Sequence, residues 1–255
     1  MGILNITPDS FSDGGKFLDP RHALAQAERM IADGADIIDV GAESTRPYGG
    51  QAPVSADEEI GRLRPVLKNI VALGTPVSID TMKAAVARFA LDTGAAIVND
   101  VWGLLRDGEM ARVVAEYRAP LVAMHNRDGV DPAIDIMSDI AAFFTRTLDV
   151  AEQAGIVRER IALDPGIGFG KTADQSMTAL ARLSELKAFG CPLLVGGSRK
   201  RFISAVAESE PDRRLGGSLA AHLVAVRNGA AIIRAHDVAE TVQALRVYAA
   251  IEGKR

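Results

Sequence analysis

The stretch PVSIDTMKAAVARFALDTGAAIVND (residues 76–100) contains one complete repeat of the fold. Residues 76–81 and 96–100 are short β-branched runs, and the segment between them has helical period. Thr81 can cap that helix, and Gly94 should stop it. No two-residue hairpin turn separates the two strands, so they run parallel and are joined by a crossover. Working outward, further strands are predicted at 2–7, 36–41, 120–125, 161–166, 193–197 and 231–236. Helices are predicted at 107–117, 134–154, 174–188, 200–208, 213–228 and 238–252. Asp19 can cap a first helix with Pro20 at its first position, and Ala23, Leu24, Ala27, Met30 and Ile31 then mark one face. Ser55-Ala56-Asp57-Glu58 reads as a capping box whose helix runs to Gly74. Three turns share the form x-Gly-Ala, at Gly34, Gly94 and Gly229, where glycine supplies the left-handed helix stop.

Eight strands in 255 residues leave roughly 32 residues per βα unit, the size of a (β/α)8 TIM barrel. A doubly wound open sheet of this length uses fewer strands and one phosphate loop near its start. No linker, charge run or low-complexity segment divides the chain, so residues 1–255 read as a single parallel eight-stranded α/β barrel domain. A net charge of −4 argues against a general polyanion binder. No apolar run approaches a membrane span, and the first residues lack the basic region and cleavage site of a signal peptide. A cytoplasmic protein without nucleic-acid or membrane partners is the expectation. The single cysteine, Cys191, reads as a small buried hydrophobe.

Strands buried on both faces should be apolar throughout, yet here nearly every C-terminal strand end is polar. In order these are Asn5, Asp39, Asp80, Asn99 with Asp100, His125, Asp164, then Ser198-Arg199-Lys200, and Arg234 with His236. In a barrel these ends meet at one mouth, where active sites are built. Asp80, Asn99 and Asp164 suit the N–H edge of a flat polar heterocycle, and the basic group after strands seven and eight suits a phosphate. The rival reading, a ring of internal salt bridges, fits less well, because acids and bases lie on opposite arcs. Gly166-Ile-Gly-Phe-Gly-Lys-Thr172 matches neither the P-loop nor the dinucleotide spacing and reads as a turn that brings backbone close to a ligand. Thr7 to Gly15 and Gly41 to Val54 read as long loops able to close over a reaction that excludes water. His22 and His222 receive no role. No cluster has zinc spacing, and no serine-nucleophile elbow is present.

These residues closely resemble the dihydropteroate synthases over almost the whole chain. The carriers are Gly2-Ile-Leu-Asn-Ile-Thr-Pro-Asp-Ser-Phe-Ser-Asp-Gly-Gly15, Asp36-Ile-Ile-Asp-Val-Gly-Ala-Glu-Ser-Thr-Arg-Pro47, Ser78-Ile-Asp-Thr81, Val98-Asn-Asp100, Leu163-Asp-Pro-Gly-Ile-Gly-Phe-Gly-Lys171, Gly197-Ser-Arg-Lys200 and Arg234-Ala-His-Asp237. The resemblance implies a transferase that condenses 6-hydroxymethyl-7,8-dihydropterin diphosphate with 4-aminobenzoate, giving 7,8-dihydropteroate and diphosphate in folate synthesis. It implies that Asp80, Asn99, Met124, Asp164, Lys200 and Arg234 hold the pterin. It further assigns the diphosphate to Asn5, Thr45, Arg234 and His236, with Asn5 also touching Mg²⁺. The aminobenzoate surround is Phe11, Thr45, Pro47, Phe169, Ser198 and Lys200. Asp13 and Arg46 belong to closing loops and, with Asp80 and Lys200, carry the catalytic roles. The implied chemistry is dissociative, and the implied assembly is a homodimer. Met1 falls at the family's internal methionine, so the usual N-terminal hairpin under the barrel is expected to be absent. Two rivals remain, a non-catalytic pterin-binding paralogue and a methyltetrahydrofolate:corrinoid methyltransferase. The loop residues Asn5, Asp13, Thr45 and Arg46 weigh against the first, and Ser198-Arg199-Lys200 with Thr45-Arg46-Pro47 against the second.

Overall fold

The computed structural model describes residues 1–6, 20–43 and 54–254. Eight strands form one sheet: β1 (Gly2–Asn5), β2 (Ile38–Gly41), β3 (Val77–Asp80), β4 (Ile97–Asp100), β5 (Leu121–Met124), β6 (Ile161–Asp164), β7 (Leu193–Val195) and β8 (Ala230–Ile233). Each pairs in parallel with the next, in sequence order. The sheet closes on itself through a parallel bridge between Gly2 and Ala235, and the Ile3 N–H donates to the Ala235 carbonyl at 3.0 Å. The single-domain (β/α)8 barrel expected from the sequence is therefore what forms, and sequential strand order excludes the doubly wound sheet.

Among the described residues ten α-helices surround the strands: α1 (Pro20–Ala32), α2 (Ala56–Leu63), α3 (Leu67–Val71), α4 (Ala84–Thr93), α5 (Met110–Tyr117), α6 (Ile136–Gln153), α7 (Ala173–Ala181), α8 (Arg201–Val206), α9 (Leu215–Arg227) and α10 (Val238–Glu252). Gly34, Gly94 and Gly229 all adopt φ near +100°, as the x-Gly-Ala turns require.

Four expectations need correction. Thr81 does not cap α4: its hydroxyl donates to Glu59 Oε2, and the first α4 N–H goes instead to Asp107 Oδ2 at 2.8 Å. Ser55 does cap α2, accepting from the Glu58 N–H, but the Glu58 carboxylate turns to Arg62 rather than closing a capping box. The closed box sits at Thr172 and Gln175, on α7. The helix expected to reach Gly74 breaks after Leu63, because Pro65 cannot supply the N–H that a continuous helix needs there. Likewise the 174–188 helix ends at Ala181 and continues as a 3-10 segment, Leu183–Phe189.

Alternating strand residues divide the interior. One set, with Leu4, Val40, Ile79, Val98, Ala123 and Leu163, packs outward against the helices in the main core. The other set points inside the barrel, where Val122, Ala162 and Leu194 meet Met1, Ile97 and Ile232 as an apolar floor. Cys191 is buried in the main core, as expected. Among the described residues no helix is long and apolar enough to cross a membrane.

Candidate active site

Above that floor the interior turns polar, because the C-terminal strand ends supply the next layer. Register sets the neighbours: Asn5 lies beside Gly41, Gly41 beside Asp80, and Asp80 beside Asn99. Met124 likewise lies beside Asp164.

Arg234 links the acids of this layer. Its Nε donates to Asp39 Oδ2 at 2.6 Å and its Nη2 to Asp80 Oδ2 at 2.7 Å. Asn99 also donates to Asp39 Oδ2, at 3.1 Å. The acid and base arcs expected from the sequence are thus not separate: the arginine of β8's end reaches across to β2 and β3. Asp39 Oδ1, Asp80 Oδ1 and Ser78 Oγ are buried without a partner among the described residues. Buried acceptors left open are costly in a protein interior, and they make this layer receptive to a ligand with N–H donors.

Burial pushes the Asp80 carboxyl up to about 7, with Arg234 pulling it down and Asp39 adding to the rise. Burial also raises Asp164 to about 6, against the Gly166 N–H, which donates to Oδ1 at 2.7 Å, and against Lys200 and Arg234. Burial works against the charge of Arg234, yet Asp39 and Asp80 hold its pKa above the usual arginine value. Asp164 and Arg234 therefore stand close enough to feel each other's charge.

On the basic side, Lys200 Nζ stands 3.9 Å from the centre of the Phe169 ring, a cation–π contact. Ser198 Oγ accepts the His236 N–H at 3.2 Å and lies 3.0 Å from its Nδ1. Burial, with Arg234, Arg199 and Lys200 adding to it, lowers His236 to about 3, so its ring is neutral at pH 7.

Some rim residues have other work. Asp100 accepts the backbone N–H groups of Trp102 and Leu104 and shapes a turn. Arg199 pairs with Asp237, so its charge is already neutralised. His125 is fully buried and belongs to a chain with Lys171 and Asp139. His22 is exposed and His222 buried. Phe11, Asp13, Thr45, Arg46 and Pro47 lie outside the described residues. What the structure does give is the base of the second loop: Glu43 Oε1 accepts the Val54 N–H, and Lys83 joins Glu43 to the fully buried Glu59. Sequence reading missed that network; Glu59 sits on the α2 face that carries Leu63, and only its burial reveals a partnered charge.

The turn after β6 is tight enough to test. Gly166, Gly168 and Gly170 all have positive φ, and a Cβ on Gly166 would fall 1.9 Å from the His125 carbonyl oxygen. Gly166→Ala should cost about 2–4 kcal/mol, from left-handed strain plus a forced backbone shift. Urea unfolding checks it; a loss below about 1 kcal/mol would mean the turn relaxes freely.

No group of three or more His, Cys, Asp or Glu side chains suited to a metal occurs among the described residues. Asn5, half-buried at the mouth end of β1, offers a single amide oxygen. That donor set fits Mg²⁺ only in its usual protein setting, one side-chain oxygen beside water and substrate phosphate oxygens.

The sequence profile of the pterin binding enzyme family matches residues 1–236. The chain is 45% identical over 249 residues to a dihydropteroate synthase of Clostridium beijerinckii, covering 97% of this chain and 91% of that protein. Among solved structures, a Clostridium difficile dihydropteroate synthase determined in the presence of pteroic acid superposes with a TM-score of 0.94. It is 48% identical, with 98% of this chain and 95% of that one covered. A Xanthomonas albilineans dihydropteroate synthase with 4-aminobenzoic acid gives a TM-score of 0.93 and 42% identity, with 98% and 92% covered.

Proposed function

The chain belongs to the dihydropteroate synthases, pterin-binding transferases of folate biosynthesis, and from that membership we propose how its own residues carry the reaction. The substrates are 6-hydroxymethyl-7,8-dihydropterin diphosphate and 4-aminobenzoate. One observation supports this most: Asp80, Asn99 and Asp164, with a buried Asp80 oxygen left unpartnered, share the barrel mouth with Arg234, Lys200 and His236.

Asp80, Asn99 and Asp164 take the N–H edge of the pterin, Met124 lines the ring, and Arg234 stacks on it while held by Asp39. Lys200 and Arg234 counter the charge of the diphosphate, which His236 and Asn5 also meet. The C–O bond to diphosphate breaks first and its electron pair leaves with that group. A delocalised pterin cation remains, facing carboxylates whose raised pKa values favour a cationic neighbour. The neutral arylamine, set between Phe169, Ser198 and Lys200, gives its lone pair to the methylene carbon and then releases a proton to water. Bound Mg²⁺, held through Asn5 and the substrate, would neutralise charge on the departing diphosphate. Phe11, Thr45 and Pro47 complete the aminobenzoate surround, Thr45 also reaches the diphosphate, and Asp13 and Arg46 exclude water during the exchange. A cytoplasmic homodimer completes the proposal; exposed Val206 and Val224 on the helical ring are apolar surface that a second copy would cover.

The test is diphosphate release by the purified protein with Mg²⁺. Release should require both substrates together. No release at any enzyme concentration would overturn the assignment, and tight binding of the pterin substrate without turnover would favour a binding paralogue.

A further inference from the structure

Lys171 is 2% exposed, and the transfer described above gives it no task. Its ammonium lies 3.0 Å from the Gly166 carbonyl, 3.1 Å from the Phe169 carbonyl and 2.7 Å from His125 Nδ1. An ammonium can only donate, so its contact with His125 requires a lone pair on Nδ1. The proton of that ring is then on Nε2, which faces Asp139 Oδ2 at 2.9 Å. Burial, with Lys171 second, lowers His125 to about 3, in keeping with this neutral tautomer.

The two carbonyls that Lys171 holds belong to the turn joining both substrate subsites. At one end, the Gly166 N–H donates to Asp164, while Lys171 grips the carbonyl of the same residue. At the other, Lys171 grips the Phe169 carbonyl, and the Phe169 ring lies beneath Lys200. The three left-handed glycines let the backbone wrap this closely, and none of them has a side chain to hold its shape.

We propose that Lys171 is a positioning residue: its buried ammonium, oriented by His125 and Asp139, fixes the 165–170 turn so that Asp164 and Phe169 stand ready for the two substrates at once. This rests on the transferase reading above. The charged groups that face it are Asp164 at the end of β6, Asp139 on α6, Arg127 after β5 and Lys200 before α8. Burying a cation here is costly, and burial lowers Lys171 to about 7, with Asp164 and Asp139 pulling it back up. Stability alone would be served by a methionine of similar length.

The experiment compares parent protein, Lys171→Met and Asp139→Ala. Calorimetry gives the Kd for dihydropterin diphosphate, steady-state kinetics give the KM for 4-aminobenzoate, and melting shows which variants are folded. Folded Lys171→Met should raise the arylamine KM at least tenfold and the pterin Kd at least threefold. A merely structural role would reduce the active fraction, lowering kcat with KM and Kd unchanged. Asp139→Ala, which keeps Lys171 but removes the outer member and with it the partner of Arg127, should raise the arylamine KM two- to fivefold. Folded Lys171→Met with KM and Kd within twofold of the parent overturns the proposal. If Lys171→Met does not fold, Asp139→Ala decides: a raised KM supports the proposal and an unchanged one overturns it. A parent protein without turnover would instead reject the transferase reading itself.

Discussion

Asp80→Ala is expected to lower kcat/KM at least about 100-fold while leaving the barrel folded. The carboxylate is buried at the end of β3 and is the pocket's charged acceptor for the pterin edge. Removing it leaves ring N–H donors buried without a partner, a loss of about 3 kcal/mol or more where a charged group was the partner. At about 1.4 kcal/mol per decade that is two orders of magnitude in rate. The fold should tolerate the change, because Arg234 loses its Nη2 contact with Asp80 Oδ2 but keeps a buried carboxylate partner, Asp39, through Nε. Diphosphate release and circular dichroism on the same preparation check both halves. Activity within a factor of two of the parent would remove Asp80 from the pterin pocket.

Arg234→Met should have the largest effect on stability, a loss of about 3–5 kcal/mol, together with the loss of turnover. The variant leaves Asp39, fully buried, and Asp80, 8% exposed, without their cation. Breaking a buried pair from one side strands an uncompensated charge, which is why the cost exceeds that of deleting an exposed ion pair. Urea unfolding near pH 7 measures it. Adding Asp39→Asn to Arg234→Met should recover part of the loss, since the stranded charge is then gone. A loss under about 1 kcal/mol, or no recovery in the double variant, would mean that the arginine is not what neutralises this layer.

Much of the site was legible because strand ends are local features. Asp80, Asn99, Asp164 and Arg234 are legible as a set: one polar residue closing an apolar strand is commonly a turn or cap former, as Asp100 is, but polar ends on nearly every strand are not explained that way. Their pairing was not legible. The sequence shows acids early and bases late, and that order was read as two arcs; in the barrel Arg234 meets Asp39 and Asp80 directly. Arg199, next to Ser198 and Lys200, could not be told from them until Asp237 was seen beside it. Thr81 looked like a helix cap for the same reason, its partner Glu59 lying 22 residues earlier.

The amino-acid order alone determined that eight strands run parallel with crossovers, where the helices stop at Gly34, Gly94 and Gly229, and which end of the barrel is chemical. Those features follow from steric limits and periodicities acting over a few residues, so they survive without knowledge of the rest. Tertiary structure decided which charge neutralises which, because Arg234 stands 195 residues from Asp39 and 154 from Asp80 and meets them only once the barrel closes. It also decided that Lys171 is buried and that His125 is neutral, since both depend on how much water the surrounding layers exclude.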